Sequence, residues 1–273
     1  MTTPAPRLLI LGAHPDDAEY RAAGLAALWA RAGGVVRFVS ATRGDAGHPT
    51  DFGPALADRR AGEAAAAAAV IGAEHAIWDH ADGFLVPDLA LREQVLTELR
   101  SWRPDLVLTH RLDDYHPDHR AVAHAVRDAA YLVTVPALLP ELPLQRTPPV
   151  VAYLADEFER PSPLRADLLV DVSEAFDDVV AMLDAHASQF YEWLPFNQCI
   201  EEQVPADPGA RRDWLRAQTE QRYAAQADRH REEIIANFGV DGIEMRHVEV
   251  FEISEYGAPL TTEACARLLP FAG

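Results

Sequence analysis

The sequence predicts an α/β protein whose mostly parallel sheet is flanked by helices, and three observations carry that expectation. Short leucine- and valine-rich runs alternate with longer alanine-rich amphipathic stretches, the pattern of βαβ units. The first apolar run, LLILGA, delivers His14, Pro15, Asp16 and Asp17 in a row. A second, DLVLTH, is followed about a hundred residues later by another imidazole–carboxylate cluster. Open α/β sheets bind ligands outside the carboxyl ends of their strands, so both clusters occupy site positions.

Each element follows in order. Strands are expected at 7–13, 35–41, 75–78 and 105–109, and between and after them helices at 18–32, 55–71, 89–102 and 118–133. The stretch 136–149 carries five prolines and reads as a surface loop, because proline fits neither a helix interior nor a central ladder. Two more strands are expected at 150–155 and 167–172, then helical stretches at 174–191 and 209–237, and VEVFEIS reads as a last strand. With no internal repeat, the expectation is a single Rossmann-like domain over 1–273. Its core covers about 5–175, and a C-terminal helical extension with the last strand covers about 176–273.

Composition narrows the function. With 273 residues and 49% hydrophobic content there is ample material for a core. The longest apolar stretches fall short of a membrane span, and no charged leader with a cleavage site opens the chain, so a soluble cytoplasmic protein with no membrane partner is expected. A formal charge of -19 opposes a nucleic-acid partner, which needs a basic surface to displace counterions, and favours a neutral or cationic small molecule. All 24 basic residues are arginine. Without lysine there is neither Schiff-base chemistry nor a phosphate-binding P-loop, and without a GxSxG elbow no serine nucleophile of that type. Cys199 and Cys265 stand far apart with no CxxC spacing, and both are expected to be small buried hydrophobes.

Asp16 and Asp17 are like charges side by side, which is costly unless something positive sits between or beside them. In HPDH, His116 and His119 stand three apart at a helix start and share one face. A metal resolves the charge problem. One imidazole and one carboxylate from the first loop, with one imidazole from the second, make three ligands and leave a fourth position open to water, the arrangement of catalytic zinc. The other carboxylate is then free to act on that water.

AHPDD at 13–17 followed by Glu19, together with HPDH at 116–119, resembles the LmbE/PIG-L family of zinc-dependent N-acetylglucosaminyl deacetylases. Weaker matches span the chain: TRGDAG at 42–47, Arg60 with Glu63, Asp82–Gly83, VDVS at 170–173, His186 with Ser188 and Gln189, and Glu249 with Phe251. The resemblance implies that His14, Asp17 and His119 bind one Zn2+, with Fe2+ as the other candidate ion. It makes Asp16 the general base, His116 the group that polarises the carbonyl or protonates the leaving amine, and Asp118 the partner that orients His116. It further implies an N-acetylated sugar substrate, of the glucosaminyl thiol precursor or small chito-oligosaccharide type, and leaves room for a homo-oligomer. The family often carries a Gly-Gly pair where this chain has Tyr20-Arg21-Ala22-Ala23-Gly24, a departure that bears on helix packing and the substrate rim.

Plainer readings compete at several positions. His110, Asp113 and Asp114 read as turn formers outside the site, and Arg60 with Glu63 as a helix-surface pair. Arg43 is either a clamp on a sugar hydroxyl or a phosphate or a surface ion pair, and Asp82 either a hydroxyl acceptor or a turn residue before glycine. Tyr191 and Trp193 read as core, with a sugar-binding wall as the alternative. The remaining histidines, His186 apart, read as structural. Two other functions stay open. Two histidines and one carboxylate also describe a non-haem iron centre, although Asp16 has no job in oxygen activation. An inactive carbohydrate-binding relative would be expected to have lost Asp16 or His116.

Overall fold

The computed structural model describes residues 4–271. In chain order its main elements are β1 (Arg7–Gly12), α1 (Asp17–Arg31), β2 (Val35–Thr42), α2 (Pro54–Ile71), β3 (Glu74–His80), α3 (Leu89–Trp102), β4 (Leu106–Thr109) and α4 (Pro117–Leu132). There follow β5 (Val150–Leu154), β6 (Leu168–Asp171), α5 (Phe176–Ala185), α6 (Leu194–Asn197), α7 (Pro208–Arg229), α8 (Arg231–Phe238), β7 (Val248–Ile253) and α9 (Thr262–Leu268). Among the described residues the strands form one sheet in the order β3-β2-β1-β4-β5-β7-β6. The pairs from β3 through β5 are parallel, while β7 runs antiparallel to both of its neighbours. The expected α/β class, with a mostly parallel sheet flanked by helices, is the observed one.

Strand alternation builds two cores. Leu8 and Ile10 of β1 face α1 and α5, whereas Leu9 and Leu11 face α3 and α4, and all four are fully buried. A strand covered on both faces must be apolar at consecutive positions, which is why β1 and β4 read as continuous runs. The chain leaves β1 toward β2 on one side and β4 lies on the other, so the order reverses between β1 and β4. That is the switch point at which the carboxyl ends of strands open a crevice.

Four features depart from the expected elements. β7 lies inside the sheet, between β5 and β6, and α9, capped by the Thr261 hydroxyl, follows it. The stretch 174–191 is broken: α5 stops at Ala185, His186 is non-helical, and a π-helix covers Ser188–Trp193. The long C-terminal helix is interrupted at His230, between α7 and α8. Neither cysteine is buried as expected; Cys199 is exposed with a positive φ of 56°, and Cys265 is half-buried at the edge of the core. No helix among the described residues is long and apolar enough to cross a membrane.

α1 is kinked at Ala22 (φ -146°, ψ 23°), which removes two amides from the helical ladder. Glu249 of β7 accepts them, from Gly24 and Leu25, both at 2.8 Å, and also accepts the Tyr223 hydroxyl at 2.7 Å. Gly24 is the residue that lets α1 approach this closely, since a Cβ there would lie 2.4 Å from Cβ of Val172. One glycine thus meets the packing demand at the position where the family often has two.

Candidate metal centre

Both polar clusters lie at the switch point, one after β1 and one after β4. The turn after β1 is strained. Asp16 has φ 133° and ψ -22°, a conformation that costs a non-glycine residue about 1–3 kcal/mol. Although it stands at the N-cap of α1, its side chain makes no cap bond. The strain turns consecutive carboxylates in different directions. Asp17 folds back over the strand end, where Oδ2 accepts the amides of Ala13 (2.8 Å) and His14 (2.7 Å). Gly12 makes room for it, because a Cβ there would meet the Cβ of Asp17 at 2.7 Å. Asp16 instead meets Arg60, whose Nη2 donates to Asp16 Oδ1 (3.1 Å) and to the Pro15 carbonyl (2.6 Å).

His14, Asp17 and His119 come together. His119 Nε2 lies 3.3 Å from His14 Nδ1 and 3.4 Å from Asp17 Oδ1, and His14 Nδ1 lies 3.5 Å from Asp17 Oδ2. Asp17 thus presents Oδ1 to His119 and Oδ2 to His14, and the three side chains converge at distances of the order that separates donors on a tetrahedral ion, roughly 3.3–3.6 Å. The other ring nitrogens are also engaged. His14 Nε2 lies 3.2 Å from Asp82 and 3.3 Å from Asp118, and His119 Nδ1 lies 3.0 Å from Asp114. A carboxylate behind each imidazole fixes its tautomer and leaves the inner nitrogen free to bind a metal. The donor groups close enough to hold an ion overlap, His14–His116–His119, Asp17–His110–His119 and His14–Asp82–Asp118; the three expected ligands all occur in them, but not together in one group.

The electrostatics ask for a cation. Burial alone would lower the His14 and His119 imidazoles, but the surrounding carboxylates outweigh it and raise His14 well above its ordinary value and His119 to about 9. The acidic shell thus draws protons onto the atoms that a metal would replace. Asp17 is driven well below the usual carboxylate range, because the His119 and His110 imidazoles outweigh its burial. Asp16 is pushed up to about 6 by burial, and although Arg60 opposes the rise, the neighbouring Asp17 adds to it. Adjacent carboxylates with opposite shifts are suited to opposite jobs.

His116 is the N-cap of α4, and its Nδ1 accepts the Asp118 amide at 3.2 Å. The ring proton therefore resides on Nε2. Asp118, the residue expected to orient His116, contacts that ring through its amide, and its carboxylate points elsewhere. It accepts the amides of Gly83 (2.7 Å) and Leu85 (3.1 Å) and backs His14, so only the backbone of Asp118 orients His116. Of the two readings of Arg43 the ion pair is the observed one: it pairs with Asp45 and Asp79 and does not line the cavity. Asp82 does line it.

Three residues set outside the site belong to it. His110 is buried, stacks on His119 with ring centroids 3.8 Å apart and lies 3.1 Å from Asp17; burial and then the His119 charge lower it to about 4. Asp114 holds His119, whereas Asp113 remains a loop residue beside it. Arg60, read as a surface partner of Glu63, is 2% exposed and also donates to the Gly44 carbonyl. A signal for it existed: Leu56, Ala57, Arg60, Ala64 and Ala67 form the buried stripe of α2, and arginine interrupts that stripe. Tyr191 is core, while Trp193 walls the cavity. His186 is fully buried 3.3 Å from Glu19, behind the site.

These groups open on a cavity of about 340 Å³ between the two strand ends and the π-helix, lined also by Gly47, Tyr115, Leu194 and Asn197. Residues 9–130, which hold both clusters, match the family model PIG-L, GlcNAc-PI de-N-acetylase. The 4-oxalmesaconate hydratase of Pseudomonas putida is 27% identical over 201 residues, covering 71% of this chain and 78% of that protein. A 1D-myo-inositol 2-acetamido-2-deoxy-alpha-D-glucopyranoside deacetylase of Saccharopolyspora erythraea is 31% identical over 245 residues, covering 70% of this chain and 80% of its own. Among solved structures, the N,N'-diacetylchitobiose deacetylase of Pyrococcus horikoshii superposes with a TM-score of 0.67 at 19% identity, over 92% of this chain and 85% of that one. With both motifs inside the matched segment and a relative of this identity aligned over most of its length, the chain belongs to the PIG-L (LmbE-like) family.

Proposed function

We propose that the chain is a zinc-dependent N-deacetylase that hydrolyses the acetamide of an N-acetylglucosaminyl substrate. The observation that carries this reading is the divergence of Asp16 and Asp17: one carboxylate sits among two imidazoles at metal-ligand spacing, and the other faces the same cavity uncommitted to that donor set. His14, Asp17 and His119 would hold a Zn2+ ion, which would supply an acidified water, its pKa lowered toward about 7, and Lewis-acid polarisation of the acetyl carbonyl. Asp16 takes the proton of the attacking water, and Arg60 holds the Asp16 carboxylate in place. His116 presents its Nε2–H to the cavity, where it donates a hydrogen bond to the carbonyl oxygen, and Asp16 passes the proton taken from the water to the departing amine. Asp82, on the cavity wall, accepts a hydrogen bond from a sugar hydroxyl.

The relative named as a hydratase makes addition of water to a different substrate the second reading. The cavity argues for the deacetylase. Asp16, Asp17 and Asp82 line it, and the charge of its arginine, Arg60, is met by Asp16 and two carbonyls, an environment for a neutral acetamido sugar and not for an anion. Metal analysis of the purified protein, followed by acetate release from a panel of N-acetylglucosaminyl compounds, tests the proposal. About one zinc per chain with acetate release supports it. A metal-loaded protein that releases no acetate but hydrates an unsaturated carboxylate would replace it with the second reading.

A further inference from the structure

Hydrolysis of an amide leaves two products of opposite charge. Water adds to the acyl carbon, the C–N bond breaks, and near neutral pH the acyl group departs as a carboxylate while the amine takes up a proton and departs as an ammonium. The cavity that holds the metal ligands suits only one of them. Asp16, Asp17 and Asp82 line it, and Arg60, its one arginine, is met by Asp16 and two carbonyls. An ammonium is attracted there, whereas an anion is repelled.

A different space is open to the anion. A pocket of about 180 Å³ shares Asp16, Asp17, Tyr115, His119 and Leu194 with the metal cavity, so the two meet across proposed metal ligands. Buried Leu154 and Ala155, at the end of β5, give it an apolar wall. Its carboxylates are engaged: Asp17 belongs to the donor set, Asp16 meets Arg60 and Asp114 holds His119. Its one arginine, Arg21, forms no ion pair and donates no hydrogen bond among the described residues, and its guanidinium lies over the Tyr20 ring at 4.7 Å. Tyr20 and Arg21 stand in the stretch where the chain departs from the glycine pair of its family. Tyr20 and Leu194 are also walls of a third space, of about 350 Å³, where Arg222 lies over the same ring at 4.2 Å. Arg222 Nη1 donates to the Tyr20 carbonyl at 2.6 Å, while Nη2 is buried without a partner. The carboxylate of that space, Glu157, lies 3.5 Å from Arg229. Two guanidiniums without a carboxylate partner thus share one ring, beside an acidic centre, in a chain whose formal charge is -19.

We propose that the 180 Å³ pocket is the acyl side of the site, and that Arg21 receives the carboxylate product released there, with Arg222 next on its way out through the larger space. A guanidinium is a forked donor that matches a carboxylate, and one stacked on an aromatic face is held in a fixed orientation for it. The acid then leaves away from the carboxylates that attract the ammonium sugar. The product role rests on the deacetylase reading, whereas a site for a small carboxylate does not.

Two measurements test this in the wild type, Arg21→Gln, Arg21→Lys and Arg222→Gln. Saturation-transfer NMR of acetate, with chloride matching the ionic strength, reads the site directly, and inhibition of amine release by added acetate and by the amine product reads its role. Arg21→Gln should weaken acetate binding and raise the inhibition constant of acetate by about tenfold or more, the range for losing a hydrogen bond to a charged group. The inhibition constant of the amine should stay the same, a split that a general defect of the fold would not produce. Arg21→Lys keeps the charge without the fork and should recover part of the loss, and Arg222→Gln should show a smaller rise than Arg21→Gln. Equal acetate binding by the wild type and Arg21→Gln, the result if a bound metal alone holds it, would overturn the site, as would a variant in which both products lose inhibition alike. An Arg222→Gln protein with the wild-type constant would remove Arg222 from the exit. Arg21-dependent acetate binding with no amine release from any N-acetylglucosaminyl compound would overturn the deacetylase reading and the product role with it, and leave the carboxylate site standing.

Discussion

The two strand ends that meet at the switch point supply the same residue types by different means. After β1 the turn is four residues long, Ala13 to Asp16, and reaches its geometry through strain at Asp16 and through Gly12. After β4 the connection runs from His110 to His116 and is built by side chains that bind one another: Asp114 holds His119 and the His116 amide, and His110 stacks on His119. Strain separates two adjacent carboxylates, whereas the longer loop aligns imidazoles whose roles depend on which nitrogen carries the proton. The first end should therefore be sensitive to the identity of each carboxylate, and the second to the hydrogen bonds behind each ring.

The largest effect tests whether both ends are needed for one ion. His14→Ala and Asp17→Ala at the first end and His119→Ala at the second should each lose bound metal and fall to background turnover, with the far-UV circular dichroism of the wild type. Full zinc occupancy in Asp17→Ala would remove that residue from the ligand set. Asp16→Asn comes next. It keeps shape and hydrogen bonding but cannot take a proton, so metal should remain while turnover falls by about 10²–10⁴-fold, the range of general-base catalysis. A metal-free Asp16→Asn protein would show that the two neighbours do not divide their work.

A smaller effect sharpens the comparison from behind the rings. Asp118→Asn weakens the support of His14, and Asp114→Asn that of His119. Each should lower zinc affinity by about 10–100-fold, the usual cost of losing a partner behind a metal-bound imidazole. Competition with a chromogenic chelator measures it. If Asp118→Asn instead lowers turnover at full metal occupancy, the carboxylate acts on His116 after all.

What was legible in the sequence follows from what local pattern records. β1 and β4 are apolar at consecutive positions because helices cover both of their faces, and the clusters at Asp16–Asp17 and His116–His119 stand out because each follows such a run with charged and imidazole side chains. Partners leave no comparable trace. His110 sits at the end of β4 just as His14 follows β1, but its stacking on His119 depends on the neighbouring loop. Asp118 is next to His119 in the chain, yet its carboxylate serves His14, more than a hundred residues away in sequence. β7 reads as a strand, yet nothing local says that it enters between β5 and β6. Arg60 resembles a surface arginine until its position on the buried stripe of α2 is taken into account.

The smallest effect concerns what the first strand end leans on. α4 runs from Pro117 to Leu132 without a break, whereas α1 is kinked at Ala22, and the amides this frees are held by Glu249 from the far end of the chain. Both carboxylate oxygens are in use, Oε1 by Gly24 and Tyr223 and Oε2 by Leu25. Glu249→Gln replaces one acceptor with an NH2 group, which must face a buried donor. An unsatisfied buried donor costs about 1–3 kcal/mol, and Tyr223→Phe, which deletes one bond and leaves the two to the backbone, should cost less, about 0.5–1.5 kcal/mol. For a chain of this size each kcal/mol lowers Tm by roughly 2–4 °C. Thermal unfolding should therefore rank Glu249→Gln below Tyr223→Phe and both below the wild type. Because the second segment of α1 carries the strap and the first carries Asp17, zinc content should remain at the wild-type level in both variants. A Glu249→Gln protein that unfolds at the wild-type temperature would mean that the kink holds without its carboxylate; one that loses zinc would mean that the strain at Asp16 depends on it.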